Sequence, residues 1–224
     1  MIKMKNYVKS AWNNKKKRYI IIGIISLVIL LLLIIIIAVA VSKRTKSNGV
    51  CKKPYKIKLY SDKEIKSKLK ECGYKQDTEL FNFLLGSIKR HNLYRQCHNA
   101  QPLMPNCEIM EISQGYAETM PSGHSGYDFK GNYLGENLYW IKNGYPTAED
   151  PVDAWYNEIV DYDFKAQKSK NGNKVGHLTQ LIWKDSAEIG IGFYCLDNKC
   201  CVSANYYPGG NVIGKYENQV QDLQ

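Results

Sequence analysis

An uninterrupted apolar run near the N-terminus divides this chain into two parts with different physical requirements. Ile20 to Val41 is 22 residues without a charge, rich in Ile and Leu on every face of a helix. At about 1.5 Å per residue such a helix is roughly 33 Å long, enough to cross a hydrocarbon core of about 30 Å. We therefore predict a short basic cytosolic tail over 1–18 and a transmembrane signal anchor over 19–41.

The alternative to an anchor is a cleaved signal peptide. Ala38-Val39-Ala40 has the small-x-small form of a cleavage site, and cleavage near Ala40 would release a secreted protein. The apolar regions of signal peptides run about 7 to 15 residues, so the length of this one favours an uncleaved anchor. Lys15-Lys16-Lys17-Arg18 and Lys43-Arg44 make both flanks basic, so flanking charge does not decide the orientation.

All the cysteines follow the apolar run. They are Cys51, Cys72, Cys97, Cys107, Cys195, Cys200 and Cys201. No pair has the Cys-x2-Cys plus Cys/His spacing of a structural zinc site, so we interpret them as disulfide partners in an oxidising compartment. The C-terminal part is then lumenal or extracellular, in a single-pass membrane protein with a cytosolic N-terminus. Because the count is odd, at least one thiol is unpaired or is bonded to another chain.

Two strands are predicted near the C-terminus, from Glu188 to Cys195 and from Lys199 to Tyr207, with alternating apolar residues. Alternation aims Cys200 and Cys201 at opposite faces, so only one of them can pair with Cys195. The remaining pairings stay open. Cys51 and Cys72 are one candidate pair, which would close a loop around a short helical pattern from Asp62 to Cys72.

The basic charge of the chain lies before position 77. The formal net charge is +10, but residues from Asp77 onward carry 12 basic and 18 acidic side chains. This part has no basic excess to neutralise phosphates, which excludes a nucleic-acid partner. The Lys-rich segment from Ser42 to Gln76 is expected to be a solvated stalk over 42–76, followed by one domain over 77–224.

Apolar periodicity and capping residues predict three helices in that domain. They run from a cap at Asp77 or Thr78 to about Cys97, from about Asn106 to Thr119, and from Asp150-Pro151 to about Tyr162. Leu138 to Ile141 suits a short strand, and Gln167 to Lys174 a loop. Few strands among several helices indicate an α+β layered domain.

Four ionisable side chains stand among apolar, aromatic or glycine neighbours. They are His124, Glu136, Glu158 and His177. Burying an imidazole or a carboxylate costs several kcal/mol unless the group is paired or bound to a metal. Two histidines and two glutamates can satisfy one another in a single cleft.

Several separated segments carry a resemblance to a known family. In chain order they are His91-Asn92-Leu93-Tyr94-Arg95, Gly135-Glu136-Asn137-Leu138-Tyr139-Trp140, Gly176-His177-Leu178-Thr179-Gln180-Leu181-Ile182-Trp183 and Ser203-Ala204-Asn205-Tyr206-Tyr207-Pro208-Gly209-Gly210-Asn211. Together they resemble the CAP superfamily, also called SCP/TAPS, which comprises the cysteine-rich secretory, antigen 5 and pathogenesis-related 1 proteins. The resemblance extends from about Asp77 to Val220. It implies a three-layer α-β-α sandwich and a cleft tetrad of His124, Glu136, Glu158 and His177.

The chemistry of the tetrad indicates a weak metal site. Neutral imidazoles are common zinc ligands, so we predict that His124 and His177 bind Zn²⁺ through two nitrogens. Glu136 and Glu158 would support the cleft by orienting the rings. The alternative is a purely structural His/Glu network that joins loops to the sheet. The other two histidines are expected outside the cleft, His91 as a hydrogen-bonded core residue and His98 exposed in a turn.

No motif indicates an enzyme: nothing resembles Gly-x-Ser-x-Gly or His-Glu-x-x-His. We therefore expect a non-enzymatic binding module. The family resemblance implies a sterol or other lipid ligand, and a partner protein met at the open cleft is the other candidate. A loop with Tyr127, Phe129 and Tyr133 is expected to form an apolar lip for the ligand. The alternative function is a metal-dependent hydrolase that uses the same cleft.

Overall fold

The computed structural model describes residues 51 and 53–223. The predicted tail over 1–18, the predicted anchor over 19–41 and the first part of the predicted stalk lie outside these residues. Within the described residues, no helix is both long enough and apolar enough to span a membrane.

A four-stranded sheet forms the centre of the domain, with the strand order β1-β7-β8-β4. Its strands are β1 (Met104–Pro105), β4 (Gly135–Lys142), β7 (Glu188–Leu196) and β8 (Lys199–Tyr207). The two C-terminal strands pair antiparallel, which confirms the predicted hairpin. β4 is longer than predicted, because every residue from Gly135 to Lys142 has a partner on β8. Two small hairpins lie outside the sheet, β2 (Asp128–Phe129) with β3 (Asn132–Tyr133) and β5 (Tyr162–Asp163) with β6 (Lys168–Ser169).

Six α-helices surround this sheet in the described residues. They are α1 (Asp62–Glu71), α2 (Glu79–Cys97), α3 (Cys107–Glu118), α4 (Asp150–Tyr156), α5 (Gly176–Leu181) and α6 (Tyr216–Gln219). The predicted starts of α2 and α3 are confirmed, because the side chains of Thr78 and Asn106 accept hydrogen bonds from backbone N–H groups of the first turn. The third predicted helix is α-helical only to Tyr156 and continues as a 3₁₀ helix over Asn157–Asp161. Six-residue α5 was not predicted as a helix.

Successive residues of β7 point to opposite faces of the sheet, and different helices pack on these two faces. A Cβ atom at Gly190 or Gly192 would collide with the carbonyl of Ile109 or Ser113, so these glycines let α3 lie directly on one face. Between them, Ile191 points to the opposite face, into the core that includes buried residues of α1, α2, α4 and α5. The expected α-β-α arrangement is therefore the one observed.

Helix α1 corrects the predicted stalk. Ile65 and Leu69 lie on one face of α1 and are buried in the main core. Ser61 and Glu64 form a capping box at the start of the helix. The prediction of a solvated stalk up to Gln76 is therefore wrong for this helix. A two-residue apolar stripe among lysines is too short a signal to predict burial.

Three disulfides are formed, Cys51–Cys97, Cys72–Cys107 and Cys195–Cys200, with Cα–Cα distances of 5.6, 4.8 and 4.0 Å. Cys201 is a buried free thiol. The prediction that only one of the two neighbouring cysteines pairs with Cys195 is confirmed. The candidate pair Cys51–Cys72 is wrong, because both of these cysteines are bonded to cysteines of the helical layers instead. The bonds tie the N-terminal segment to α2 and α3.

Two polar side chains are buried at the C-terminal end of α2. The guanidinium of Arg95 donates hydrogen bonds to the carbonyls of Gln101, Leu181, Trp183 and Ser186. His98, which was expected to be exposed, is fully buried. Its Nδ1 lies 2.6 Å from the Gln221 carbonyl and its Nε2 lies 2.9 Å from the Tyr156 hydroxyl. The C-terminal segment covers this ring, which no local pattern around His98 could show.

Candidate functional site

A polar cleft of about 300 Å³ opens along β4 and α5. Strand β4 is the outer strand of the sheet, so residues from both faces of the sheet meet at its free edge. The cleft is lined by His124, Tyr133, Gly135, Glu136, Asn137, Lys174, Gly176, His177, Gln180, Gly210 and Asn211.

His124 and Glu136 form the first ion-pairing contact of the cleft. Nδ1 of His124 donates to Oε1 of Glu136 at 2.8 Å. The histidine side chain is 57% exposed, whereas the glutamate side chain is only 1% exposed. Ser125 also donates to this carboxylate, from its backbone N–H at 3.0 Å and from its hydroxyl at 2.6 Å. The buried carboxylate therefore orients an imidazole that faces solvent.

His177 and Glu158 form the second contact. Nδ1 of His177 donates to Oε1 of Glu158 at 2.6 Å. The other carboxylate oxygen accepts the backbone N–H groups of His177 and Leu178, at 2.9 and 3.0 Å. Val175, which precedes α5, provides no side-chain cap. Glu158 therefore satisfies the first turn of α5 and orients the His177 ring at the same time.

The two contacts leave equivalent ring nitrogens available. A carboxylate only accepts hydrogen bonds, so Nδ1 carries the proton in both rings, and Nε2 of a neutral ring keeps its lone pair. His124 and His177 both line the cleft, whereas Glu158 stands behind His177. Each of these two imidazoles is backed by a carboxylate, which is the usual support of a histidine that ligates a metal. Among the described residues, no group of three or more His, Cys, Asp or Glu side chains has the arrangement of a metal site.

Consecutive residues of β8 support the two sides of the cleft from opposite faces of the sheet. The side-chain amide of Asn205 donates to Oε2 of Glu136 at 3.3 Å. Its Oδ1 accepts a hydrogen bond from the Ser113 hydroxyl of α3 at 2.9 Å. On the other face, Tyr206 contacts Asn137 and the buried His91. Each side of the cleft is therefore connected to a different helical layer.

The chain of hydrogen bonds through Tyr206 determines the orientation of Asn137. Nδ1 of His91 donates to the Ser87 carbonyl, so its Nε2 accepts the Tyr206 hydroxyl proton at 2.8 Å. The Tyr206 oxygen can then accept from Nδ2 of Asn137, which also donates to the His177 carbonyl at 2.9 Å. Oδ1 of Asn137 is left without a partner, as the single buried side-chain N or O atom in this state among the described residues. An unpaired buried acceptor in a cleft wall favours a ligand or water that donates a hydrogen bond.

The predicted apolar lip is only partly present. Phe129 is buried against Ile109 and Leu134, so it does not form a lip. Tyr127 packs edge-on against Tyr116, and only Tyr133 lines the cleft. Besides glycines, four further residues line the cleft that were not predicted there: Asn137, Lys174, Gln180 and Asn211. Three of them lie inside the segments that carry the family resemblance, so the resemblance could have identified them. Lys174 lies in a loop that has no such resemblance.

Comparison with known proteins identifies the family of this chain. The model of the cysteine-rich secretory protein family matches residues 88–206. The human Golgi-associated plant pathogenesis-related protein 1 (Homo sapiens) is 35% identical over 140 residues, covering 59% of this chain and 88% of that protein. Pathogenesis-related protein 1C of Nicotiana tabacum is 33% identical over 129 residues, covering 57% and 76%.

Solved structures share the fold at low sequence identity. The crystal structure of Na-ASP-1 has a TM-score of 0.51 and 19% identity, covering 64% of this chain and 42% of that chain. The hookworm platelet inhibitor has a TM-score of 0.50 and 16% identity, covering 67% and 79%. Since the family model covers more than half of the chain, this protein belongs to the cysteine-rich secretory protein, or CAP, family.

Proposed function

We propose that this CAP domain is a non-enzymatic binding module, held at a membrane by the predicted anchor over 19–41. Its domain is extracellular or lumenal, a location supported by three disulfides on one side of the apolar run. The observation that carries the binding function is the pair of carboxylate-oriented imidazoles that line one cleft. If the chain is instead cleaved near Ala40, the same domain is secreted.

The ligand favoured by this cleft is polar, such as a segment of a partner protein. The lining includes no aliphatic side chain and a single aromatic one, Tyr133. A sterol or another lipid needs a mostly apolar wall, so lipid binding, which the family resemblance implied, is not favoured at this position. Lys174 offers a donor to such a polar ligand, and Asn137 contributes a buried acceptor to the cleft wall.

The metal proposed for the cleft is a divalent ion such as zinc. His124 and His177 would hold the ion through Nε2, and Glu136 and Glu158 would keep both rings in the required tautomer. A bound zinc ion supplies open coordination positions for an electron-pair donor of the ligand. With two protein ligands the affinity is modest, and protons compete with the metal for the same nitrogens.

Calorimetric titration of the full chain with Zn²⁺ tests this site. We expect binding near about pH 7.5 that weakens near about pH 5.5. His124→Ala or His177→Ala should remove nearly all specific affinity, whereas Glu136→Gln should weaken binding by about 10- to 100-fold. A double histidine variant that still binds zinc as the wild type does would refute the site, since His91 and His98 are both buried in the core.

Topology is tested separately from the cleft. In sealed vesicles whose interior is the cytosolic side, added protease should not reach a tag at the N-terminus. It should reach the disulfide-bonded domain, which lies on the other side of the membrane. A tag found on the same side as the domain would refute the orientation. A mature chain that starts near Val41 would refute the anchor and support secretion.

A metal-dependent hydrolase is the second candidate, favoured by one observation. The Nδ1-to-carboxylate bonds of His124 and His177 leave both Nε2 atoms able to hold a metal, which would supply an activated water for hydrolysis. Turnover of ester or peptide substrates that is abolished by Glu136→Gln would support the hydrolase over the binding module. Turnover that this variant retains would belong to a contaminant or to another site.

A further inference from the structure

Helix α1 carries a basic stripe that the cleft does not use. We define the stripe as Lys63, Lys66 and Lys70, which share a helical face because they are spaced by three and four residues. Neighbouring lysines have carboxylate partners: Lys68 pairs with Glu71 at 2.6 Å, and Lys89 pairs with Asp62 at 2.8 Å. Within the described part of the chain, none of the three stripe lysines forms an ion pair.

The basic stripe borders a shallow depression of about 360 Å³. Besides the three lysines, this depression is lined by Asp62, Ser67 and Gln76. The Asp62 carboxylate is already paired with Lys89, so it leaves the stripe lysines without a neutralising partner. Three ammonium groups around one concave surface form a site for anionic head groups.

The stripe is held on a rigid platform. Ile65 and Leu69, on the other side of α1, are buried in the main core. The disulfide between Cys72 and Cys107 ties the end of α1 to α3. Because the helix cannot rotate or detach freely, the lysines stay directed away from the core.

Charge is distributed unevenly between the segment that contains α1 and the rest of the domain. Residues 53–76 carry eight lysines against three carboxylates, whereas residues from Asp77 onward carry 12 basic and 18 acidic side chains. A molecule with one basic end and an acidic remainder orients in the field of an anionic surface with its basic end facing that surface. The acidic remainder is repelled at the same time.

We propose that the basic stripe of α1 docks on an anionic lipid surface. A planar surface can contact the basic end alone, whereas a long flexible polyanion would also meet the acidic remainder. Each lysine near an anionic membrane raises partitioning about fivefold, so the three lysines together contribute on the order of a hundredfold. Lys53, Lys56 and Lys58 are exposed on the segment that precedes α1 and add to its positive charge. Docking acts through α1 and not through the predicted anchor, and for an extracellular or lumenal domain it requires a surface that carries anionic lipid on that side of the membrane.

Lysine labelling of the full chain on liposomes tests this docking. The protein is mixed with liposomes of phosphatidylcholine alone or with about 30% phosphatidylserine, and acetylation of each lysine is followed by mass spectrometry. With phosphatidylserine at about 50 mM salt, we expect the stripe to react several-fold more slowly, and at about 500 mM salt this protection should be lost. Lys165 and Lys168, exposed in the acidic remainder, should react equally on both liposomes.

A charge-removal variant provides the matched comparison. In the wild type, phosphatidylserine should also protect Lys53, Lys56 and Lys58 from acetylation. The variant Lys63→Ser/Lys66→Ser/Lys70→Ser should lose this protection. The control variant Lys165→Ser/Lys168→Ser should keep it. Flotation with pure phosphatidylcholine liposomes reports the anchor independently. Equal labelling of the stripe on both liposomes would overturn the docking proposal, and so would equal protection of Lys165 and Lys168. Protection by soluble heparin but not by liposomes would assign the stripe to a polysaccharide instead.

Discussion

The imidazole of His91 and the hydroxyl of Tyr206 lie 2.8 Å apart at a fully buried contact between α2 and β8. The other ring nitrogen donates to the Ser87 carbonyl at 2.7 Å, so both nitrogens of the neutral ring are satisfied. Burial lowers the pKa of His91 to about 4. Burial also lowers the pKa of His98 to about 4. Both rings therefore resist protonation as long as the domain is folded.

Acid should destabilise the domain through these two histidines. An unfolded histidine binds its proton near about pH 6.5, so between about pH 6.5 and about pH 4 the unfolded chain holds protons that the folded chain does not. The free energy of unfolding keeps its full value above this window and falls within it, by at most roughly 3 kcal/mol per ring. Urea unfolding across this range should give a shallower pH dependence for His91→Gln than for the wild type. Parallel curves would contradict the assignment.

Alanine at Gly192 should destabilise the domain. The added Cβ would collide with the Ser113 backbone of α3, which cannot move away without separating the helix from the sheet. We expect a loss of about 1 to 3 kcal/mol or more in the free energy of unfolding. Gly115→Ala is the matched control, because it lies on α3 and its Cβ would meet nothing within 4 Å. The free energy of unfolding of Gly115→Ala should rise by up to about 1 kcal/mol, because alanine has the higher helix propensity. Chemical denaturation measures the free energy of unfolding of both variants.

The Cys72–Cys107 disulfide should contribute more stability than Cys195–Cys200. The first spans a sequence separation of 35 and the second a separation of 5. Chain entropy then predicts that the double serine variant of the long bridge loses about 1 to 2 kcal/mol more. Urea unfolding of the two double variants compares them directly. A larger loss for the short bridge would show that native packing around Cys195 outweighs chain entropy.

Cys201 should be unreactive in the folded protein. It is fully buried, and burial, with a smaller effect from the Glu136 carboxylate, raises the pKa of its thiol to about 11. A thiol reagent near about pH 8 should therefore label no cysteine under native, non-reducing conditions and one cysteine after denaturation. Labelling of two or more cysteines in denaturant would contradict the observed disulfides. Rapid native labelling would show that β8 opens.

Short sequence patterns predicted the structure correctly where the deciding interactions are between residues close together in the chain. The caps at Thr78 and Asn106 act within a few residues, and the predictions of a cap at Asp77 or Thr78 and of a helix start near Asn106 came from such local patterns. The bridge from Cys195 joins strands of one hairpin, so the short connection narrowed its partner to Cys200 or Cys201, and side-chain alternation allowed only one of the two. Family resemblance assigned the four cleft residues, and the structure places them in two His–Glu pairs.

Long-range contacts decided the features that the sequence analysis missed. Burial of α1 depends on Cys107, and burial of His98 depends on Gln221, 123 residues further along the chain. The first turn of α5 is satisfied by Glu158, which no capping pattern next to Val175 could indicate. By itself, the sequence determined where α2 and α3 begin and where β7 and β8 lie, since these follow from patterns within a few neighbours, and the family resemblance identified the His and Glu residues of the cleft. Only the tertiary structure decided which groups are buried and how they are paired, because burial and hydrogen bonding depend on residues brought together from distant parts of the chain.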